Sequence, residues 1–177
     1  MPYDVGFILV RDGTLHRDTF APPAVYLRRE TRGLAAGAHW PCDFGPDLSR
    51  GFRALKTWFT LKVYGTDALG AMISRTCELA RYLEINITTS KELELLALVS
   101  LNIVYFRYRG DDPDRLNARI VADMHEFGIA PPSTTMIGNR LAIRAAIVNH
   151  RTEPRDIDAL LKTVSIFGAD ATTSCAA

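Results

Sequence analysis

The sequence predicts an α/β chain whose later, larger part is an α+β layer: a small antiparallel sheet with helices packed on one face. Three observations predict it. From Glu92 onward the apolar pattern changes period in the order strand, strand, helix, strand (or two), helix. Near the start, Val5-Gly6-Phe7-Ile8-Leu9-Val10 is a continuous apolar run with β-branched members, the pattern of a strand buried on both faces. Between these parts, residues 21–47 hold Pro22, Pro23, Gly33, Gly37, Pro41, Gly45 and Pro46 and read as a loop of the length that is often functional.

Composition narrows the class. The chain has 177 residues, 47% hydrophobic and 23% charged, which suits one soluble domain or a domain with an extension and argues against disorder. Lys plus Arg number 21 and Asp plus Glu 20, a net charge of +1. That balance gives no electrostatic case for nucleic acid or an anionic membrane as partner. Cys42, Cys77 and Cys175 are widely spaced, without zinc-ligand spacing or a disulfide framework, so a reducing cytoplasm and no metal are expected. The uncharged, largely apolar run Leu95 to Phe106 is too short to cross a bilayer as a helix. Met1-Pro2-Tyr3-Asp4 lacks the basic start of a signal peptide.

The elements follow in order. The first run ends at Arg11-Asp12-Gly13, and no parallel neighbour for it follows, which points to an incomplete sheet. Thr14 to Phe20 suits a short helix with Thr14 as cap. Asp47 or Ser49 is expected to cap the next helix, with Phe52, Leu55, Phe59 and Val63 on one face. Gly65 breaks it, and a helix restarts at Thr66 or Asp67 with Leu69, Met72, Ile73, Leu79 and Leu83 inward. Leu93 to Leu98 and Ile103 to Tyr108 are strands. In the second, Tyr105, Arg107 and Arg109 share one face and Val104, Phe106 and Tyr108 the other. By residue type, Tyr105, Phe106 and Tyr108 all read as core. A turn at Gly110-Asp111-Asp112-Pro113 leads to a helix from about Asp114 to Phe127, capped by Asp112 and ended by Gly128. Its apolar face is Leu116, Ile120, Val121 and Met124. Thr134 to Ile137 and Leu141 to Val148 are strands about a turn at Asn139. Glu153-Pro154 opens the last helix, with Ile157, Leu160, Leu161 and Val164 inward and the tail after Gly168 expected to fray.

Self-contained catalytic motifs are absent: no Gly-rich phosphate loop, His-Glu-x-x-His, Gly-x-Ser-x-Gly or Cys-x-x-Cys. His16, His39, His125 and His150 are scattered and read as surface or satisfied histidines; only His39, beside Trp40 in the long loop, is a pocket candidate. Trp40 reads equally as a packing anchor. Arg144 interrupts the apolar run Leu141 to Ile147, where a charge is costly unless paired. A guanidinium fork there fits a substrate carboxylate or a structural ion pair, and the sequence leaves both open.

A family resemblance gathers these residues. Ser49-Arg50-Gly51-Phe52-Arg53-Ala54-Leu55-Lys56-Thr57-Trp58-Phe59 resembles the start of the long helix in group II pyridoxal-phosphate-dependent amino-acid decarboxylases, the group of the aromatic-L-amino-acid, tyrosine and histidine enzymes. Pro2-Tyr3-Asp4-Val5-Gly6-Phe7 resembles the strand after that family's cofactor lysine, and Ala24-Val25-Tyr26-Leu27-Arg28 its mobile catalytic loop. Val104-Tyr105-Phe106-Arg107 and Leu141-Ala142-Ile143-Arg144-Ala145-Ala146 resemble two strands of its C-terminal domain, and Arg151-Thr152 also fits. Gly51 departs from the second arginine that the family often has there.

The resemblance implies the C-terminal part of a fold-type I enzyme. Residues 1–45 would end the large cofactor domain with its catalytic loop, residues 46–90 would be linking helices, and residues 91–177 the small α+β domain. It implies pyridoxal 5'-phosphate in the complete enzyme and decarboxylation of an L-amino acid to amine and CO₂. It makes Tyr26 the catalytic acid that protonates Cα after CO₂ leaves, since a phenol near a cationic group is a plausible acid. Arg144 becomes a substrate-carboxylate ligand, and His39 and Trp40 line the pocket. Ser49 faces substrate or cofactor phosphate, the bland alternative being a plain helix cap. In the family the Schiff-base lysine lies just before the Pro-Tyr-Asp segment, where this sequence has Met1. None of Lys56, Lys62, Lys91 and Lys162 stands in its place. The chain is thus expected to be inactive alone. Its expected partner is an N-terminal decarboxylase chain or a further copy of itself; the alternative is a silent remnant that only oligomerises.

Overall fold

Side-chain alternation and four end signals set the elements. The computed structural model describes residues 6–20, 30–34, 36–37 and 39–175, and side chains as far as residue 171. Its elements are α1 (Gly13–Phe20), a 3-10 turn at Pro41–Phe44, α2 (Ala54–Tyr64), α3 (Thr66–Thr89), β1 (Leu93–Leu95), β2 (Ile103–Tyr108), α4 (Pro113–Phe127), β3 (Ser133–Ile137), β4 (Arg140–Ala146) and α5 (Pro154–Cys175). The chain divides into two units, Met1–Gly65 and Thr66–Ala177.

In the second unit the strands form one sheet in the order β1-β2-β4-β3, every neighbour antiparallel. The register places Val104 opposite Ala145 and Phe106 opposite Ile143, and Leu93 opposite Tyr108. These residues share one face and are buried with Leu79, Leu83 and Ile87 of α3, Ile120, Val121 and Met124 of α4, and Ile157, Leu160 and Val164 of α5. Each such aliphatic or aromatic side chain contributes about 1.5–3 kcal/mol on burial. The α+β layer expected from the sequence is therefore present, and the strict alternation of β2 buries Val104, Phe106 and Tyr108 as expected.

Local signals explain the ends. Asp112 caps α4 by accepting from the Arg115 N–H, Pro113 occupies the first turn, and Gly128 ends the helix at φ 65°. Inside α4, Asn117 is fully buried. Its amide receives the Tyr108 N–H at 2.8 Å and donates to the Tyr108 carbonyl at 2.8 Å and the Pro113 carbonyl at 2.6 Å. One side chain thus finishes the hydrogen bonding of the last β2 residue, where the ladder has run out.

In the first unit Asp12, not Thr14, caps α1: its carboxylate accepts the N–H groups of Thr14 and Leu15 at 2.9 and 3.0 Å. Residues 6–10 form no strand, contrary to expectation. Phe7, Ile8 and Leu9 are 76%, 79% and 99% exposed, since no described strand offers them a ladder. Helix α2 begins at Ala54 rather than at Asp47 or Ser49. Arg53 already has helical dihedrals and no side-chain cap, because Gly51 and Phe52 keep the chain irregular up to that point. Phe52, Leu55, Phe59 and Val63 are exposed, so the expected inward face is not buried among the described residues.

Three smaller expectations also change. Ile73 is exposed on α3. Tyr105 is half-buried on the face away from the core, because its strand neighbours Val104 and Phe106 take the inner positions. Helix α5 runs through Gly168 to Cys175 instead of fraying. Gly168 is a contact residue: a Cβ there would lie 2.6 Å from the Tyr108 ring. The helix crosses the sheet at that point, and buried Ala171 follows one turn later.

Two substitutions test this layer. Asn117→Ala should lower unfolding free energy by about 2–4 kcal/mol, read from urea unfolding, because it strands both Tyr108 main-chain groups. Gly168→Ala should cost about 1–3 kcal/mol through overpacking, and less in a Tyr108→Leu background.

Candidate functional site

The face of the sheet away from the core carries the charge. Register puts Glu94 opposite Arg107, and Tyr105 and Ser133 opposite Arg144 on either side of it. Arg107 grips Glu94 with two nitrogens, Nε and Nη2, each 2.9 Å from Oε2. Arg140 Nη1 takes the other oxygen at 3.0 Å. Arg107 also lies 3.9 Å from Asp114, whose carboxylate accepts the Leu141 N–H. Arg109 donates through Nε to the Leu93 carbonyl at 3.0 Å. Burial works to raise the Glu94 pKa, but the Arg107 hydrogen bond and charge, with Arg109 and Arg140, outweigh it and hold the carboxyl below its ordinary value.

Arg144 differs from these neighbours. It is half-buried in mid-strand, and among the described residues its side chain has no hydrogen bond and no ion pair. The structural ion pair left open by the sequence is not made there. Glu94 is committed to the row of Arg107, one step along the sheet, and shared with Arg140. A planar donor fork on an open sheet face, beside a tyrosine and a serine, is suited to an incoming carboxylate.

The remaining candidates lie in the first unit, apart from Tyr26, which lies outside the described residues. His39 is exposed, its ring 6.0 Å from that of Phe44, against which His16 also packs at 5.7 Å. Trp40 opens the 3-10 turn and donates its N–H to Asp43 at 3.0 Å. Arg50 Nη2 donates to the Pro41 carbonyl at 2.7 Å and lies over buried Gly45, which brings the segment around Ser49 to this turn. Ser49 is exposed and sits five residues before α2, so it is not at a helix N-terminus.

The four lysines lie on α2, just before β1 and on α5. Lys62 is exposed with its ammonium 5.9 Å from the Trp58 ring; Lys91 and Lys162 are exposed, and Lys56 is half-buried on α2. No group of three or more His, Cys, Asp or Glu placed to hold a metal occurs among the described residues. No described helix is long and apolar enough to cross a membrane.

Sequence reading missed the Glu94–Arg107–Arg140 cluster and the place of Tyr105. Alternation already put Tyr105 and Arg107 on one face. Pairing β1 with β2 through their short connection would have set Glu94 opposite Arg107.

Known proteins resemble this chain. A family described as "Pyridoxal-dependent decarboxylase conserved domain" matches residues 1–109. The chain is 31% identical, over an aligned 178 residues, to the aromatic-L-amino-acid decarboxylase of Bacillus atrophaeus, covering 93% of this chain and 37% of that protein. Among solved structures, it resembles the glutamate decarboxylase domain of a diaminobutyrate-pyruvate transaminase and L-2,4-diaminobutyrate decarboxylase from Vibrio parahaemolyticus. The identity there is 28% and the TM-score 0.61, over 66% of this chain and 26% of that one. It shares its fold with mouse CSAD at a TM-score of 0.73 and 20% identity, over 88% of this chain and 34% of that one. The chain thus spans well under half the length of these proteins.

Glu94 gives the site a measurable acid signature. Its folded pKa is lowered, so its pairing stabilises fully above the ordinary glutamate value of 4.5 and is lost as pH falls through the lower folded value. Glu94→Gln should remove about 1–3 kcal/mol at pH 7, since half-buried Arg107 loses its closest carboxylate and keeps only Asp114 at 3.9 Å, and should flatten the fall in stability below pH 4.5. Urea midpoints across that range report both.

Proposed function

This chain belongs to the pyridoxal-dependent decarboxylase family, and we propose that it is the C-terminal part of an enzyme converting an L-amino acid to its amine and CO₂. Pyridoxal phosphate supplies the electron sink when bound. The observation that carries the reading for this chain is Arg144, a half-buried guanidinium with no partner among the described residues, on the open face of the sheet. Its planar fork binds the substrate carboxylate through two parallel hydrogen bonds and holds the amino acid in one orientation. The likeness to an aromatic-L-amino-acid decarboxylase supports an aromatic substrate.

Residues 1–45 complete a cofactor domain, residues 46–90 link, and residues 91–177 form the small domain. Tyr26 delivers a proton to the substrate carbon that has lost CO₂. His39 and Trp40 line the pocket, and Ser49 offers its hydroxyl to the substrate or to the cofactor phosphate. The cofactor lysine comes from elsewhere in the enzyme, since the four lysines here are exposed or half-buried on the surface of their elements. The partner is an N-terminal decarboxylase chain or a further copy; exposed Phe7, Ile8, Leu9, Trp58 and Phe59 suit such cover. Free Cys42 and Cys77 suit a cytoplasmic setting.

The test is assembly. The chain alone should give no reduced phosphopyridoxyl lysine after borohydride, read by peptide mass mapping. Joined to an N-terminal decarboxylase part, it should yield amine and CO₂ from an aromatic L-amino acid. In that assembly Tyr26→Phe should cut amine formation by about 10²–10⁴-fold with substrate binding retained. An unchanged turnover number would remove Tyr26 from this role.

A further inference from the structure

We infer that Tyr105 is a second carboxylate-binding residue, its phenolic hydroxyl donating to the same carboxylate that Arg144 holds. The inference rests on the reading of Arg144 given above and adds a residue to it. Tyr105 stands directly opposite Arg144 in the β2–β4 register. Side chains so paired share a face, with Cβ atoms about 4.5–5.5 Å apart, and rise roughly perpendicular to the sheet. Tyrosine and arginine have similar reach, so a hydroxyl and a guanidinium from these two positions can meet one carboxylate. Ser133 flanks Arg144 on the other strand, but its short, exposed side chain ends nearer the sheet.

Hydrogen-bond accounting points the same way. Tyr105 and Arg144 are both half-buried, and among the described residues neither side chain makes a hydrogen bond. Arg107 and Arg140, on the same face, are both engaged by Glu94. A tyrosine that only packed would gain nothing from its hydroxyl, and phenylalanine would serve. A carboxylate has about four acceptor sites, and an arginine fork fills two. One further donor beside the fork is chemically useful, and the phenol is placed to be that donor. The neutral hydroxyl adds a directional bond without adding charge, so the pair selects a carboxylate over other anions by geometry.

The experiment uses the 177-residue chain with its arginine side chains labelled with ¹⁵N. Phenylacetate is the probe, and 2-phenylethanol, which keeps the ring but lacks the carboxylate, is the control. The Arg144 Nε–H resonance should shift saturably with phenylacetate and not with the alcohol. Arg144→Gln should abolish that binding, read from the remaining sheet resonances. Tyr105→Phe should weaken it by on the order of three- to tenfold while leaving the backbone spectrum in place. Tyr105→Leu should match Tyr105→Phe, because both lack the donor. Unchanged affinity in both Tyr105 variants, with binding lost in Arg144→Gln, overturns the role of Tyr105 and leaves that of Arg144. Absence of a carboxylate-dependent shift in the wild-type chain, or full binding by Arg144→Gln, overturns both.

Discussion

The register of β2 against β4 is the constraint on which the second unit depends. It places Val104 opposite Ala145 and Phe106 opposite Ile143, and in alternation Tyr105 opposite Arg144. A slip of one residue would turn every side chain over. Val104, Phe106 and Tyr108 would leave the core, and Tyr105 and Arg107 would enter it. Both halves of that exchange are unfavourable, one by lost apolar burial and the other by desolvated charge. Asn117 pins the same register from α4, since it bonds both main-chain groups of Tyr108 and would find no match one residue away. Tyr108 is pinned again by Gly168, where α5 comes against its ring.

The constraint has a chemical consequence. With Val104, Phe106, Ile143 and Ala145 committed inward, Tyr105, Arg107, Arg140 and Arg144 share the outer face. Arginine is tolerable there because its stem covers apolar surface while its head finds partners. Arg107 and Arg140 find Glu94, and the cluster is closed. Arg144 stands beyond the reach of that carboxylate. The Arg144 stem covers apolar surface of the sheet, while its guanidinium has no side-chain partner among the described residues. The same face therefore holds one arginine pair that serves the fold and one arginine available for binding.

Much of the second unit was legible in the sequence because its signals were local. Strict alternation gave β2, and Asp112-Pro113 with Gly128 gave both ends of α4. Sequence reading failed where tertiary contact overrode a local cue. Gly168 looked like a helix end but is a close-contact glycine against Tyr108. Tyr105 looked like core by residue type, yet alternation alone, correctly weighed, put it with Arg107. The first unit was less legible for a different reason. The run at residues 6–10 is apolar enough for a buried strand, but a strand needs a ladder partner, and no described residue provides one. The caps of α1 and α2 were misjudged by a few residues, because several Asp, Ser and Thr residues competed for each position. Of the candidate site, Arg144 was visible as a charge in an apolar run. The absence of a described partner, which gives it meaning, is visible only in the fold.

The division of labour between the two faces also explains where change is tolerated. Inner-face positions answer to volume: Phe106 and Val104 are fully buried, and loss of either leaves a cavity among three helices. Outer-face positions answer to hydrogen-bond geometry and charge, and contribute little to packing. Replacement at Tyr105 by an apolar ring should therefore be nearly silent in stability, while the same change at Tyr108 would disturb the contact with Gly168. A sheet built in this way presents a polar row without disturbing its core. The register that buries one set of residues delivers the other set to a common face, already aligned, before any ligand arrives.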